Sequence, residues 1–449
     1  MRHGRIAVVA WIVVFSLAFL LVAPAAMAGG DARERTTRRD IYRVRTRDGV
    51  ELALKRYRPD PGSPLRLRGQ PVILMAGMLS NHNYFDLHAM EGRNYAVRLP
   101  EKLADWARND PYVRADPLKY YSLAYYLWSR GYDVWLADYR GEGREPVRSA
   151  GTDGYTIDDL GIYDMPAIVS KVREVTGKKP VWIGHSMGST MAYIYLQGAR
   201  YEVEDNPDTR VVSDPALVRM RNDGCGKQAL KGFVDLDGPV VPPGGTPEDM
   251  QSLVWWSLYV PFYLDLRPFT DTLGWMLSCP TLAMEALLRM VWQSLGCPEL
   301  GWLNSLLSIN SQNIDAGVLA YITQNAVDGV STRVMAQFSD ASTYGKFRED
   351  WRNRTLGCFM VCPPPPQEGD GYYYYSDNLK KISLPALVIA DATLDITDPA
   401  DIERFYRGKT RNRRDSFRVI PNTAHVDLAV GLNAPTELFP AIGAWLASL

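Results

Sequence analysis

The sequence predicts an α/β fold built on a mostly parallel sheet with helices on both faces. Eight short apolar segments have the character of strands, and helical patterns lie between the later ones. Strands that alternate with helices are typical of parallel sheets covered on both sides. The predicted strands are residues 41–46, 50–57, 71–76, 132–137, 180–183, 230–236, 384–390 and 417–420.

A long excursion separates the sixth predicted strand from the seventh. Residues 239–383 are too many for a loop, and they contain several helix-like apolar segments. We therefore expect a helical cap or lid at 239–383, inserted between a first part of the core at 29–238 and a second part at 384–449. Prolines at 363–366 and tyrosines at 372–375 indicate a stiff return from the cap to the core.

The most specific motif follows the fifth predicted strand. Gly184-His185-Ser186-Met187-Gly188 fits the pattern G-x-S-x-G between an apolar run and a helical stretch. In that context a sharp turn strains the backbone of the serine, and the glycines avoid collisions with neighbouring strands. Ser186 is the candidate nucleophile, at the start of a helix whose free N–H groups and dipole favour negative charge. The pattern also occurs by chance, so its weight depends on a base and an acid in the right chain order.

Chain order selects the candidate base. The chain has five histidines, and only His425 lies beyond Ser186, where the order serine, acid, histidine places the base. His425 stands in a polar turn after the eighth predicted strand, which suits a base held on a loop at the edge of the sheet. The alternative is a structural histidine that caps this turn.

Four acids follow the seventh predicted strand: Asp391, Asp395, Asp398 and Asp401. Asp391 is close to the strand end, and Asp398 before Pro399 has the pattern of a helix N-cap. Asp395 lies in the loop between them and is the predicted acid. The cluster could also suggest calcium, but the alternating D-x-D-x-D spacing and the central glycine are missing, so we expect no metal.

Motifs from most of the chain resemble those of one known family. The matching segments are the opening hairpin at 47–52, the "GYDVWL…RG" strand at 131–141, the "YDLPA" helix start at 163–167, a cap segment at 331–347, the "DxLADP" loop at 395–399 and the "HLDFIWGLDAP" turn at 425–435. They are similar to the acid lipase family of α/β hydrolases, which includes the gastric and lysosomal acid lipases. The resemblance implies an α/β-hydrolase fold from about residue 41 to the C-terminus, with the cap between strands 6 and 7.

By position, the backbone N–H groups of Met78 and Met187 would form the oxyanion hole. Two departures from the family stand out. The family's "HGL" after the third strand is Ala-Gly-Met at 76–78, so the histidine that normally braces this loop is missing. An extra stretch at about 83–119 is interpreted as a solvated surface insertion rather than a decoration over the site mouth.

Length and composition fit this class of protein. A chain of 449 residues with 46% hydrophobic content is ample for one large α/β core and a second module. The formal net charge of −1 gives no indication of a nucleic-acid partner. The basic run at 409–414 is interpreted as a solvated face, with attraction to a lipid surface as the alternative. The predicted chemistry needs no cofactor, and no obligate protein partner is inferred.

The N-terminus has the pattern of a secretory signal. Arg2 and Arg5 precede an apolar stretch at 6–23, and small residues at 26 and 28 predict cleavage after Ala28. We expect export, to the periplasm or the exterior, with an uncleaved membrane anchor as the alternative because the apolar stretch can also span a bilayer. All five cysteines lie between Cys225 and Cys362, so an exported chain could form disulfides, although sequence alone does not pair them.

The cap carries the information on substrate class. It contains six of the twelve tryptophans, including Trp255 and Trp256, and nearly all-apolar segments at 253–264 and 282–292. Segments that are apolar on every side must be buried or must meet something apolar. Trp255 and Trp256 are therefore candidate substrate contacts, and the alternative is that they form the core of the cap.

The sequence thus predicts an exported serine hydrolase that cleaves carboxylic esters, in particular long-chain or acylglycerol esters at a lipid–water interface. One alternative is an esterase or thioesterase that acts on short or soluble acyl substrates. The other is a non-catalytic lipid-binding surface protein, against which the predicted triad argues.

Overall fold

The computed structural model describes residues 40–59, 69–152, 154–202, 210–222, 226–241, 263–268, 270–271, 308–351, 365–393 and 396–449. Several predictions fall elsewhere in the chain. The signal segment, all five cysteines, Trp255, Trp256 and Asp395 lie outside the described residues. Within the described ranges, no helix has both the length and the apolar character needed to cross a membrane.

An eight-stranded sheet organises the fold. Its strands are β1 (Ile41–Arg45), β2 (Glu51–Tyr57), β3 (Pro71–Met75), β4 (Asp133–Ala137), β5 (Val181–His185), β6 (Gly232–Leu236), β7 (Ala386–Ala390) and β8 (Ser416–Val419). Their order in the sheet is β1-β2-β4-β3-β5-β6-β7-β8. Strand β2 pairs antiparallel with β1 and β4, and every pair from β4 to β8 is parallel. All eight predicted strands are confirmed.

Helices lie between the parallel strands, as the fold class requires, and one more follows the last strand. They are α1 (Pro111–Ala115), α2 (Leu123–Ser129), α3 (Ile157–Asp159), α4 (Met165–Thr176), α5 (Met187–Leu196), α6 (Pro215–Asn222), α7 (Ala316–Asn325), α8 (Thr332–Tyr344), α9 (Pro399–Gly408) and α10 (Leu438–Ser448). Thr156 and Asp159 form a capping box at the start of α3, and Gly177 ends α4 with a φ of 69°. Local side chains thus set the start of α3 and the end of α4.

Two apolar cores cover the two faces of the sheet. Ile73 and Met75 of β3 belong to one core, whereas the alternate residues Val72 and Leu74 belong to the other. Trp182 and its neighbour Ile183 in β5 divide in the same way. Burial on both faces explains why these strands are continuously apolar. The predicted doubly covered α/β fold is confirmed.

Residues of the excursion between β6 and β7 form a short antiparallel pair, Tyr263–Asp265 with Gly329–Ser331, and the helices α7 and α8. Asp328 and Arg267 of this part lie against the segment that follows β4, because Asp328 accepts a hydrogen bond from the N–H of Gly143 at 2.6 Å and Arg267 donates to the Gly143 carbonyl at 3.0 Å. The boundaries 239–383 for a separate cap stay a prediction.

The extra stretch at 83–119 is not the solvated surface insertion that the sequence suggested. Tyr84, Phe85 and Leu87 are almost completely buried and belong to one of the two cores. Asp86 is buried as well, where it pairs with Lys55 of β2 at 2.6 Å. The interpretation was wrong because these apolar residues follow neither a helix nor a strand period, so their burial is set by the rest of the fold.

Candidate active site

Ser186 stands in a sharp turn between β5 and α5. Its φ of 53° and ψ of −124° are a conformation that residues with a side chain rarely adopt. A Cβ placed on Gly184 would lie 2.4 Å from the carbonyl oxygen of Gly188, and one placed on Gly188 would lie 2.4 Å from that of Met75. Only glycine fits at these two positions. The N–H of Ser186 donates to the carbonyl of Leu236 in β6 at 2.9 Å, and the turn has the geometry of a nucleophile elbow.

The first residue of α5 is Met187, directly after the serine. Its backbone N–H is one of the first four of the helix, which have no partner inside it, and the helix dipole adds positive potential at this end. The indole N–H of Trp182 donates to the carbonyl of Gly188 at 2.8 Å, and the hydroxyl of Ser189 donates to that of Gly184 at 2.7 Å. These bonds fix the turn on which Ser186 and Met187 stand.

The loop after β3 packs directly on this elbow. A Cβ placed on Gly77 would lie 2.8 Å from the Cβ of Ser186, so only glycine permits the contact. Met78 follows Gly77 and is partly exposed. The predicted oxyanion donor thus follows a glycine that packs on the nucleophile.

Ala76 stands where the resemblance leads us to expect a bracing histidine, and other contacts hold this loop. The hydroxyl of Tyr139 donates to the carbonyl of Gly77 at 3.1 Å. The Nδ1 of His82 lies 2.6 Å from Oδ2 of Asp138, and the N–H of His82 donates to Oδ1 of Asp138 at 2.7 Å. His82 and Asp138 are both about 1% exposed. Asp138 and Tyr139, the two residues that follow β4, thus hold the loop through hydrogen bonds.

The same loop is joined to the excursion between β6 and β7. The N–H of Asn81 donates to the carbonyl of Ala326, and the N–H of Asp328 donates to that of Leu79, both at 2.9 Å. The side-chain amide of Asn81 donates to the carbonyl of Asn325 at the end of α7 at 2.9 Å. The position of the loop after β3 therefore depends on contacts with residues of the predicted cap.

His425 lies buried on the loop that follows β8. Its Nδ1 is 2.5 Å from Oδ2 of Asp237, which is completely buried. Its ring centroid is 4.6 Å from that of His185, the residue before Ser186. His425 is therefore packed against the elbow and paired with a carboxylate.

Asp237 is held on both oxygens. Oδ2 also accepts a hydrogen bond from the hydroxyl of Thr397 at 2.8 Å, and Oδ1 accepts one from the N–H of Asp391 at 3.2 Å. Burial raises the pKa of the Asp237 carboxyl, but the hydrogen bond and the positive charge of His425 outweigh it, and the pKa lies below its ordinary value. A carboxylate can only accept, so Nδ1 of His425 donates to Asp237, and Nε2 is the ring nitrogen that this pairing leaves for proton exchange.

In the structure the carboxylate on His425 is Asp237, whereas the sequence predicts Asp395 for that role. Strands β6 and β7 are parallel neighbours, so their carboxyl ends meet at the same edge of the sheet, and an acid after β6 reaches His425. The signal that was missed is Asp237 before Gly238, directly after the predicted strand at 230–236. Asp398 is the N-cap of α9, as predicted, and accepts from the N–H of Ala400 at 2.8 Å.

No metal centre is found among the described residues, where no group of three or more His, Cys, Asp or Glu side chains could hold an ion. The polar groups that the elbow gathers are a hydroxyl, an imidazole and a carboxylate. This set is suited to nucleophilic attack on a carbonyl carbon.

Comparison with known proteins also indicates a hydrolase. A model of the alpha/beta hydrolase fold matches residues 115–206. Lipase member K from Homo sapiens is 24% identical over 413 residues, which cover 89% of this chain and 85% of that protein. Gastric triacylglycerol lipase from Bos taurus is 24% identical over 425 residues, which cover 91% and 88%. Lysosomal acid lipase/cholesteryl ester hydrolase from Homo sapiens is 23% identical over 334 residues, which cover 72% of each chain.

This protein is an acid lipase-like α/β hydrolase. The resemblance drawn from the motifs is therefore confirmed, and it holds along most of the chain rather than at the elbow alone. The enzyme class follows as well: it is a carboxylic ester hydrolase.

Proposed function

We propose that this protein is an exported serine hydrolase that cleaves lipid esters, with Ser186 as nucleophile, His425 as general base and Asp237 as the acid of the triad. The observation that carries the proposal is the buried pair of Asp237 and His425, 2.5 Å apart, beside the strained turn that presents Ser186. Two relatives that match most of the chain are named as triacylglycerol and cholesteryl ester hydrolases, which supports a lipid ester as substrate.

The proposed reaction has two halves. His425 Nε2 takes the proton of the Ser186 hydroxyl while Oγ attacks the carbonyl carbon, and the N–H groups of Met78 and Met187 bind the oxyanion. His425 then passes that proton to the departing alcohol, which leaves an ester between the acyl group and Ser186. In the second half His425 takes a proton from water, the hydroxide attacks the acyl carbon, and the proton returns to Ser186 as the carboxylic acid departs. Asp237 holds the imidazole in the required tautomer and stabilises its charged form, and no cofactor takes part.

The preference for long acyl chains is assigned to the predicted cap. Its apolar segments, with Trp255 and Trp256, would contact the acyl chain or a lipid–water interface. Each methylene removed from water contributes about 0.8 kcal/mol, so a channel that holds several would select strongly for long chains. A short-chain esterase lacks this selection.

Export is assigned to the N-terminal segment. Its two arginines, apolar stretch and small residues before position 29 support a signal cleaved after Ala28. The enzyme would then act in the periplasm or outside the cell.

The test is hydrolysis of p-nitrophenyl esters from acetate to palmitate by the wild type, Ser186→Ala and His425→Ala. We expect each substitution to lower kcat by about 10⁴ to 10⁶ on every ester, because the serine and histidine act as one unit. Circular dichroism should show an unchanged fold. Turnover within tenfold of the wild type in either folded variant would contradict the mechanism, and equal or falling kcat/KM from acetate to palmitate would contradict the lipid substrate.

A further inference from the structure

Two side chains that are not part of the triad hold two consecutive carbonyls of the loop that carries His425. Nε2 of His185 lies 2.9 Å from the carbonyl oxygen of His425, and the hydroxyl of Tyr84 donates to the carbonyl oxygen of Val426 at 2.8 Å. The two rings stack on each other, with centroids 4.8 Å apart and planes 28° apart. We call this pair, His185 and Tyr84, the carbonyl clamp.

Both side chains of the carbonyl clamp act as hydrogen-bond donors. A carbonyl oxygen can only accept, so the proton of His185 must be on Nε2. Burial and the neighbouring charge of His425 lower the pKa of His185 to about 3, which keeps its ring neutral. Burial raises the pKa of the Tyr84 hydroxyl well above its ordinary value, so Tyr84 also keeps its proton. Both groups therefore donate over the whole pH range in which the enzyme would work.

The clamp connects the base to the turn of the nucleophile. His185 is the residue before Ser186, and its Nε2 donates a hydrogen bond to the backbone carbonyl of His425. Asp237, by contrast, contacts His425 at Nδ1 of the imidazole. On the far side, the N–H of Val426 donates to the carbonyl of Ser308 at 2.9 Å, from the excursion rather than from the elbow. Within the part of the chain that the structure describes, His185 thus links the turn of the nucleophile directly to the backbone of the base, and Tyr84 supports this link.

We infer that His185 and Tyr84 are positioning residues that set the distance and orientation of His425 relative to Ser186. Neither residue transfers a proton or binds the acyl group in the proposed reaction. A displacement of the general base by about 1 Å is enough to lower kcat severely. Substrate binding depends on other surfaces of the protein. Their removal should therefore lower kcat and leave KM nearly unchanged. The inference rests on the proposed function, because it requires His425 to be the base.

Three variants separate the donors from the rings. Tyr84→Phe removes only the hydroxyl and keeps the stacked ring. His185→Leu removes the donor, and His185→Gln restores an amide N–H at a similar reach to the carbonyl. Tyr132→Phe is the matched control, because the buried Tyr132 hydroxyl has no hydrogen-bond partner among the described residues.

We expect a reduction in kcat of about three- to tenfold for Tyr84→Phe and about 10- to 100-fold for His185→Leu, with KM within about twofold of the wild type. His185→Gln should recover most of the loss, and Tyr132→Phe should behave as the wild type. The rate of covalent labelling of Ser186 by a fluorophosphonate should fall in parallel, and the pH profile of kcat/KM should differ from that of the wild type in Tyr84→Phe and His185→Leu.

Normal kcat, labelling rate and pH profile in folded His185→Leu and Tyr84→Phe would overturn the inference. A loss in His185→Leu that His185→Gln does not restore would also overturn it, because it would assign the effect to packing. Failure of the proposed function looks different: the wild type would then show no Ser186-dependent hydrolysis and no fluorophosphonate labelling.

Discussion

Oδ2 of Asp237 lies 2.5 Å from Nδ1 of His425, and the two residues are 188 positions apart in the chain. Asp237 has a φ of 58°, which is uncommon for a residue with a side chain. A Cβ on the next residue, Gly238, would lie 2.2 Å from that of Ser189 at the start of α5. The turn that carries the Asp237 carboxylate is thus packed directly against the elbow that carries Ser186.

This relationship predicts that Asp237, and not Asp395, is the acid of the triad. Asp237→Asn keeps the shape of the side chain but cannot enforce the Nδ1–H tautomer, so kcat should fall by about 10²- to 10⁴-fold with little change in KM. Asp395→Asn is the matched comparison and should retain kcat within about threefold. Steady-state kinetics on one p-nitrophenyl ester decides between them. A severe loss in Asp395→Asn beside a mild one in Asp237→Asn would return the role to Asp395.

The parts of the site that were readable from the sequence are those encoded locally. Ser186, its two glycines and the helix after them are adjacent in the chain, so the motif itself predicts most of the local geometry. The strands were readable because burial on both faces makes them continuously apolar. His425 was found by chain order alone, without any knowledge of what surrounds it.

The parts that were missed depend on which strand ends become neighbours. The acid was sought only after the seventh strand, yet β6 ends at the same edge of the sheet, and no periodicity in the sequence indicates this. Tyr84 was assigned to a surface insertion, although its hydroxyl holds the loop of His425. His82 has no sequence signal as a brace, because its partner Asp138 is brought to it only by β4.

A second prediction concerns how stability depends on pH at the junction, the contacts between the segment after β4 and the excursion between β6 and β7. Glu142 accepts a hydrogen bond from the N–H of Gly329 at 3.3 Å, and Asp328 accepts one from the N–H of Gly143 at 2.6 Å. Burial, followed by the charge of Asp328, raises the pKa of Glu142 well above its ordinary value. Burial raises the pKa of Asp328 to about 6. The charges of Arg144 and Arg267 lower this pKa, and the charge of Asp138 raises it.

A carboxyl whose pKa is raised by folding stabilises the native state below its ordinary pKa, and this contribution is lost as the pH rises through the raised value. The junction should therefore be more stable at pH 4.5 to 5 than at pH 8. Glu142→Gln imitates the protonated form, because its carbonyl can accept from Gly329 and its amide can donate to the hydroxyl of Tyr263, which lies 3.0 Å from Oε1 of Glu142.

We expect Glu142→Gln to raise Tm at pH 8 and to leave it nearly unchanged at pH 5. One pKa unit corresponds to about 1.4 kcal/mol, which for a chain of this size is on the order of 1 to 3 °C in Tm. Thermal unfolding followed by circular dichroism at both pH values measures it, with the exposed Glu101→Gln as control. A destabilised variant at both pH values would show that the ionised form of Glu142 is the favoured one.

Export gives a third prediction. Mass spectrometry of the protein recovered from its native host should find a mature chain that begins at Gly29 or within a few residues of it, because Ala26 and Ala28 are suited to signal cleavage. An intact N-terminus in the membrane fraction would instead support an anchor formed by the apolar stretch at 6–23.

The last prediction concerns the acyl chain, and it separates a lipase from a plain esterase. If Trp255 and Trp256 line a channel for the substrate, the double replacement by Ala should depress palmitate ester hydrolysis by an order of magnitude or more and spare acetate, because only long chains lose buried methylene contacts at about 0.8 kcal/mol each. Replacement of another tryptophan of the excursion, the buried Trp351, by Phe serves as a control for general loosening of this part of the chain. The measurement is kcat/KM across the ester panel, with circular dichroism to confirm the fold. Equal losses on palmitate and acetate would mean that Trp255 and Trp256 pack the core of the cap, and the substrate would then have to be sought among shorter esters.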